Sequence, residues 1–228
     1  MVLDEVQVDD ESLQDLLPEL EQSFGITFPR DLTHVLTAGD LFDEIVKHRS
    51  PTDDGDRCDT AMTFFLLRRS LAAQGLGERV HPSVILRDQS LGSPRKVKER
   101  LARETGLELP PLAMSARGCV LLVALAVGAT SSFAWKFWTL AVLAIVGIAT
   151  AALSDRGQWS GDWETLGSLS RATAIRNVMR LGLRGARSSR AGWWRSFATL
   201  LVASTGATHE RRVVKADEIG PATRFRFT

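Results

Sequence analysis

The stretch Leu17–Pro29, LPELEQSFGITFP, returns at Lys98–Pro110 as KERLARETGLELP, at an offset of 81 residues. Under that alignment Leu20 meets Leu101, Gly25 meets Gly106, Ile26 meets Leu107, Phe28 meets Leu109 and Pro29 meets Pro110. Each copy reads as a helix followed by a short strand-like exit that ends on proline. Self-similarity of this kind defines a repeated unit before any element is named. A second pair, TAGDL (Thr37–Leu41) and TLGSL (Thr165–Leu169), matches at an offset of 128. A third pair, ERVHPSVIL and DEIGPATRF, sets Val80 against Ile219 and Pro82 against Pro221. The offset grows by 47 residues between the first pair and the second, so the second copy carries an insertion.

The insertion is apolar. From Gly118 to Leu153 the only charged residue is Lys136, which splits the run into GCVLLVALAVGATSSF and FWTLAVLAIVGIATAAL. Each arm is at the short end of what crosses a hydrocarbon core about 30 Å thick. A single helix would overshoot, so the run predicts a transmembrane helical hairpin over 117–154, whether fully spanning or re-entrant. Trp135 and Trp138 beside Lys136 suit one interface, and Trp159 and Trp163 the other. Basic residues precede the run (Arg95, Lys96, Lys98, Arg100, Arg103, Arg117) and follow it (Arg156, Arg171, Arg176). This bias predicts an inner (plasma) membrane protein of bacterial type with both termini cytoplasmic and the lipid bilayer as a partner. A buried hairpin inside a globular domain is the competing reading.

Net charge is +1, yet residues 1–56 hold 15 acids and 3 bases while the remainder holds 12 acids and 25 bases. An acidic head on a basic body predicts internal pairing, a partner that recognises acidic surface, or a solvated acidic face. Cys58 and Cys119 are far apart without metal-type spacing, and Cys119 sits in the apolar run, so both read as reduced packing residues. The first apolar run long enough to matter begins at Gly118, so no N-terminal signal peptide is expected.

The order of the pieces resembles acyl carrier proteins. In that family a first helix leads into a loop, a second helix exits through Phe-x-Ile-x-Ile-Pro, and a last helix opens on Thr-x-Gly-Asp-Leu. Here Met62–Gly75 would be the first helix, VHPSVILRDQSLGS the loop, Pro94–Thr105 the second helix, GLELP its exit and TLGSLSRATAIR the last helix. The resemblance implies an all-α fold: two carrier-like pseudo-repeats plus the inserted hairpin. Residues 1–50 form an acidic half module, 58–116 the first part of a second module, and 155–190 its last helix with a basic linker. Residues 191–228 supply a helix and loop that complete the N-terminal module.

In the family a serine near the start of the second helix carries 4'-phosphopantetheine. It lies about fourteen residues before the Phe of the exit motif, and fourteen before Phe24 is Asp10, not Ser12. Two residues turn a helical side chain by about 200°. Ser12, with Asp15 three residues on, instead reads as a helix N-cap, and Ser93 before Pro94 reads the same way. The likeness therefore predicts a carrier-like fold without the cofactor. The alternative is a membrane-tethered carrier modified on Ser12.

No other chemistry assembles. His34, His48, His81 and His209 show no metal spacing, and no nucleophile elbow, Walker loop or dinucleotide fingerprint is present. Gly182–Arg195, GLRGARSSRAGWWR, mixes arginine, glycine and tryptophan as nucleic-acid binders do. Placed after the hairpin, it reads as a contact for anionic lipid, or as a plain linker, rather than as a nucleic-acid site. The expected function is a non-enzymatic, membrane-anchored binding or recruitment element without metal, whose partners are acyl-chain or lipid-synthesis enzymes.

Overall fold

The computed structural model describes residues 2–48, 51, 57–76, 80–86, 91–113, 158–159, 163–187, 189–209 and 212–227. The described elements are β1 (Leu3–Val8), α1 (Asp10–Phe24), α2 (Ala38–His48), α3 (Asp59–Ala73), α4 (Pro94–Thr105), α5 (Leu166–Arg176), α6 (Val178–Gly182) and α7 (Arg190–Thr205). The chain then closes with β2 (Thr208–His209), β3 (Arg212–Val213), a 3₁₀ turn at Ala216–Glu218, and β4 (Ile219–Phe227).

Two cores result. On α1, Leu16, Leu20 and Phe24 recur every four residues and are sealed from solvent, as one stripe of a helix must be when it packs. They meet Leu41 and Ile45 of α2, Phe197 and Leu201 of α7, and Val6, Ile219 and Phe225 of the sheet. The second core joins Leu67 and Leu71 of α3, Val97 and Leu101 of α4, and Leu166 and Leu169 of α5, with Val80 and Leu86 from the α3–α4 connection. The first core draws on both chain ends. The C-terminal helix lies against the N-terminal one, where Phe24 and Trp193 meet edge to face at 5.3 Å.

The two cores are built alike, down to single hydrogen bonds. Helices α1 and α4 both end on a left-handed glycine, Gly25 at φ 64° and Gly106 at φ 66°, whose N–H groups donate to Glu21 and Ala102. Helix α2 opens with Thr37 Oγ1 accepting from Asp40 N while Asp40 Oδ2 accepts from Thr37 N. Helix α5 opens with the same reciprocal box between Thr165 and Ser168. Beside each box one residue pair forms an antiparallel bridge, Thr37 with Arg224 and Thr165 with Ile85. Phe225 N donates to Leu36 O at 3.1 Å, and Leu86 N to Glu164 O at 2.9 Å. The glycine of each motif is set by that approach: a Cβ on Gly39 would lie 2.5 Å from the Pro221 carbonyl oxygen, and one on Gly167 3.0 Å from that of Pro82.

Three expectations from the sequence are corrected. The fold is mixed α/β rather than all-α: a four-stranded sheet in the order β3-β2-β1-β4 covers the first core. Strands β1 and β4 run parallel, pairing Val6 with Phe225, while β2 pairs antiparallel to β1. Physically, Thr223 and Phe225 are buried between exposed Arg224 and Arg226. This period-two strand pattern sits where a carrier protein has its loop, and its partner strand lies at the other end of the sequence.

The expected transmembrane hairpin and inner-membrane placement are likewise corrected. No helix among the described residues is long and apolar enough to cross a membrane. The longest, α7, has 16 residues and carries Arg190 and Arg195. At 1.5 Å per residue it covers about 24 Å, short of the roughly 30 Å required. The apolar run itself falls within 114–157, outside the described residues.

The charge split is partly consumed within the molecule. Arg176 of α5 pairs with Glu19 of α1, Arg190 of α7 with Asp43 of α2 at 2.7 Å, and Arg226 of β4 with Glu5 of β1 at 3.3 Å. Buried Asn177, at the α5–α6 junction, clasps the Gly106–Pro110 exit. Its Oδ1 accepts from Glu108 N at 2.8 Å, and its Nδ2 donates to the carbonyls of Glu108 and Thr173 at 2.8 and 2.7 Å.

Candidate functional site

Successive residues on a helix point about 100° apart, so the adjacent tryptophans of α7 cannot share one environment. Trp193 turns inward against Phe24. Trp194 is half-buried and stands edge to face against Phe42 of α2, with ring centroids 5.1 Å apart. Phe42 also leans on Phe197, at 5.6 Å. The Phe42 and Trp194 rings form one wall of an open groove of about 1010 Å³ between α2, α7, the 3₁₀ turn and β4. Gly39, Ala191 and Ala216 leave it wide, and Ile219 and Pro221 supply the facing wall.

The rim carries charge of both signs. Arg190 donates to Asp43 Oδ1 and stacks over Phe42 with its guanidinium carbon 5.5 Å from the ring centroid, so a cation–π contact fixes it across the entrance. Asp217 and Arg195 complete the edge. Behind the groove, the hydrogen bonds from the Leu36 and Thr37 amides hold the Asp40 carboxyl below its ordinary range. Buried Glu44 is held low by Lys47 and His34. Among the described residues no serine, cysteine, histidine or lysine lines the groove. It has the make-up of a binding surface: apolar walls with a few oriented polar groups.

Ser12 lies elsewhere, and its expected role as a cap is corrected. Helix α1 begins at Asp10, the N-cap position is Asp9, and no side-chain cap bond is made. Ser12 is therefore inside the first turn, half-buried. Ser93 does occupy an N-cap position before Pro94, also without a side-chain cap bond. The acidic run Asp9–Asp15 starts the helix at an earlier point than Pro94 allows in the other copy, so equivalent serines occupy different positions relative to the helix start.

The histidines separate: His34 contacts Glu44, His81 contacts Ser83, and His209 contacts the Glu5 carbonyl. No group of three metal-binding side chains occurs among the described residues. In the basic stretch, Arg180 and Arg184 donate to the carbonyls of Gly106 and Thr105 at the C-terminal end of α4, where cations are favoured. Cys58 is an exposed free thiol, and Cys119 lies outside the described residues. The groove residues Phe42, Asp43, Trp194 and Ala216 come from opposite ends of the chain. The sequence pairs residues 191–228 with the N-terminal module, but no motif in it marks this groove.

Comparison with protein-family models, with curated proteins and with solved structures finds no match for this chain.

Proposed function

We propose that the chain is a non-enzymatic binding protein of acyl-chain metabolism that holds an aliphatic chain in the groove between α2, α7 and β4 and works alongside acyl-chain or lipid-synthesis enzymes. The observation that carries this reading is the groove itself: about 1010 Å³, aromatic on one side, aliphatic on the other, and closed at one edge by the Arg190–Asp43 pair. A flexible chain fits such a space because burial is non-directional and scales with the methylenes removed from water. Each buried methylene contributes about 0.8 kcal/mol, so two more carbons should tighten binding about fourteenfold. Calorimetric titration with octanoate, decanoate and dodecanoate below their micelle concentrations tests this. The expected result is that stepwise rise, abolished by Ala191→Trp, which fills the groove from the exposed face of α7. Affinity that does not depend on chain length, or that survives Ala191→Trp, overturns it.

A second reading is a phosphopantetheine carrier using Ser12. It is favoured by the hydroxyl's place in the first turn of α1, where no cap bond is recorded for the helix. Intact mass after co-expression with a phosphopantetheinyl transferase decides it. A prosthetic-group mass increase that vanishes in Ser12→Ala supports it, and an unchanged wild-type mass removes it.

A further inference from the structure

On the other side of α7 lies a smaller cavity of about 360 Å³. Arginines from three separate parts of the fold line it: Arg171 on α5, Arg187 in the segment leading into α7, and Arg195 on α7. Thr60, Ser189 and Thr199 line the same wall, with their hydroxyls bonded to Asp59, the Gly192 amide and the Arg195 carbonyl. Its one acid, Asp59, is turned to local work: its Oδ1 accepts from Thr60 N at 2.6 Å and from Thr60 Oγ1 at 3.3 Å. The contrast with nearby arginines is selective. Arg176 and Arg190, on the same two helices, are neutralised by Glu19 and Asp43, whereas Arg171 and Arg195 have no carboxylate at ion-pair distance among the described residues. Arg171 and Arg195 are exposed at the cavity's edge, where guanidinium groups can match phosphate oxygens two at a time. The first turns of α3 and α7, helices of 15 and 16 residues, open on the same space and add the positive ends of their dipoles.

We propose that this cavity binds a phosphate group, either the free ion or the terminal phosphomonoester of a small molecule. A volume of about 360 Å³ falls in the range of small-molecule sites, roughly 300–1,000 Å³, and leaves room beyond one phosphate. The site is distinct from the aliphatic groove, although Arg195 lines both.

The test titrates inorganic phosphate and glycerol phosphate into the full chain by calorimetry at constant ionic strength, with chloride and acetate as comparison anions. Saturable phosphate binding is expected, with acetate at least about tenfold weaker because it offers one oxygen pair and a single charge. Arg171→Gln should weaken phosphate at least about tenfold, and Arg171→Lys by less, since the charge stays and the fork is lost. Arg100→Gln, on the exposed side of α4, serves as the control and should change nothing. If Arg171→Gln fails to fold by circular dichroism, Thr199→Glu replaces it, placing a carboxylate in the cavity wall with the same expected loss. Tighter binding of glycerol phosphate than of phosphate assigns the ligand to phosphomonoesters, and equal binding assigns it to the free ion. A heat of phosphate addition no different from chloride, or one retained unchanged in both cavity variants, overturns the proposal.

Discussion

Replacing Gly39 with alanine sets two effects of known sign against each other. Away from tertiary contacts, Gly→Ala in a helix stabilises by up to about 1 kcal/mol, and Gly39 does not need a left-handed backbone. Here the new Cβ would sit 2.5 Å from the Pro221 carbonyl oxygen, 3.1 Å from its carbon and 3.2 Å from its Cα. Those atoms belong to β4, which cannot swing aside cheaply: Phe225 N is bonded to Leu36 O, and β4 is paired along β1. Overpacking of this kind costs about 1–3 kcal/mol, and Gly39, the second residue of α2 in its first turn, recovers only part of the propensity gain. The net expectation is a destabilisation of about 1–2 kcal/mol. Gly167→Ala is the internal comparison. Its Cβ would lie 3.0 Å from the Pro82 oxygen, so a shift of a few tenths of an ångström suffices, and the net change should stay within about 1 kcal/mol of zero. Urea unfolding followed by circular dichroism, read as a change in midpoint at constant slope, measures both. A more stable Gly39→Ala protein, or a larger penalty at Gly167 than at Gly39, would refute the claim that these glycines are set by the approach of a neighbouring strand.

Phe197, fully buried where α7 meets α2 and α1, should cost about 3–5 kcal/mol as Phe197→Ala, and limited proteolysis should then find α1 and α2 open first. Asn177→Ala strips four side-chain hydrogen bonds from a buried residue and should cost about 2–3 kcal/mol, read as loss of midpoint in urea. Acid should act on the first core before the second. The carboxyls of Asp31, Asp40, Glu44 and Glu218 are all held below their ordinary range by hydrogen bonds. Their stabilisation is therefore present above about pH 4 and is lost as pH falls through the lower folded-state values. The α5 box has Ser168 where α2 has Asp40, so Asp40→Ser should flatten the pH dependence of stability, measured as thermal midpoints between neutral and acidic buffer.

What the sequence could say about the fold depended on how local the signal was. Pro94 at a helix start, Gly106 at its end and the Thr-x-Gly motifs mark boundaries through hydrogen bonds made within a few residues, so α4 and the start of α5 are legible from composition alone. The repeat is legible too, because Leu20 and Leu101, or Gly39 and Gly167, occupy like environments. The sheet is not: the pairing of β1 with β4 joins residues more than two hundred positions apart, and no periodicity within VQV or TRFRF names that partner. The groove was hidden for the same reason, since Phe42 and Trp194 meet only after the chain ends have come together. The arginine cavity was visible only as a basic stretch, whose members the fold then sends to three different tasks: capping α4, crossing the groove and lining the cavity.

Fluorine NMR of the chain labelled with fluorotryptophan tests the central claim most directly, because Trp193 and Trp194 report from the core and from the groove wall respectively. With the two resonances assigned by Trp193→Phe and Trp194→Phe, dodecanoate should shift the Trp194 signal saturably and leave the Trp193 signal in place. A Trp194 signal that stays fixed while ligand is bound, or moves no more than that of Trp193, would contradict an aliphatic chain in the groove.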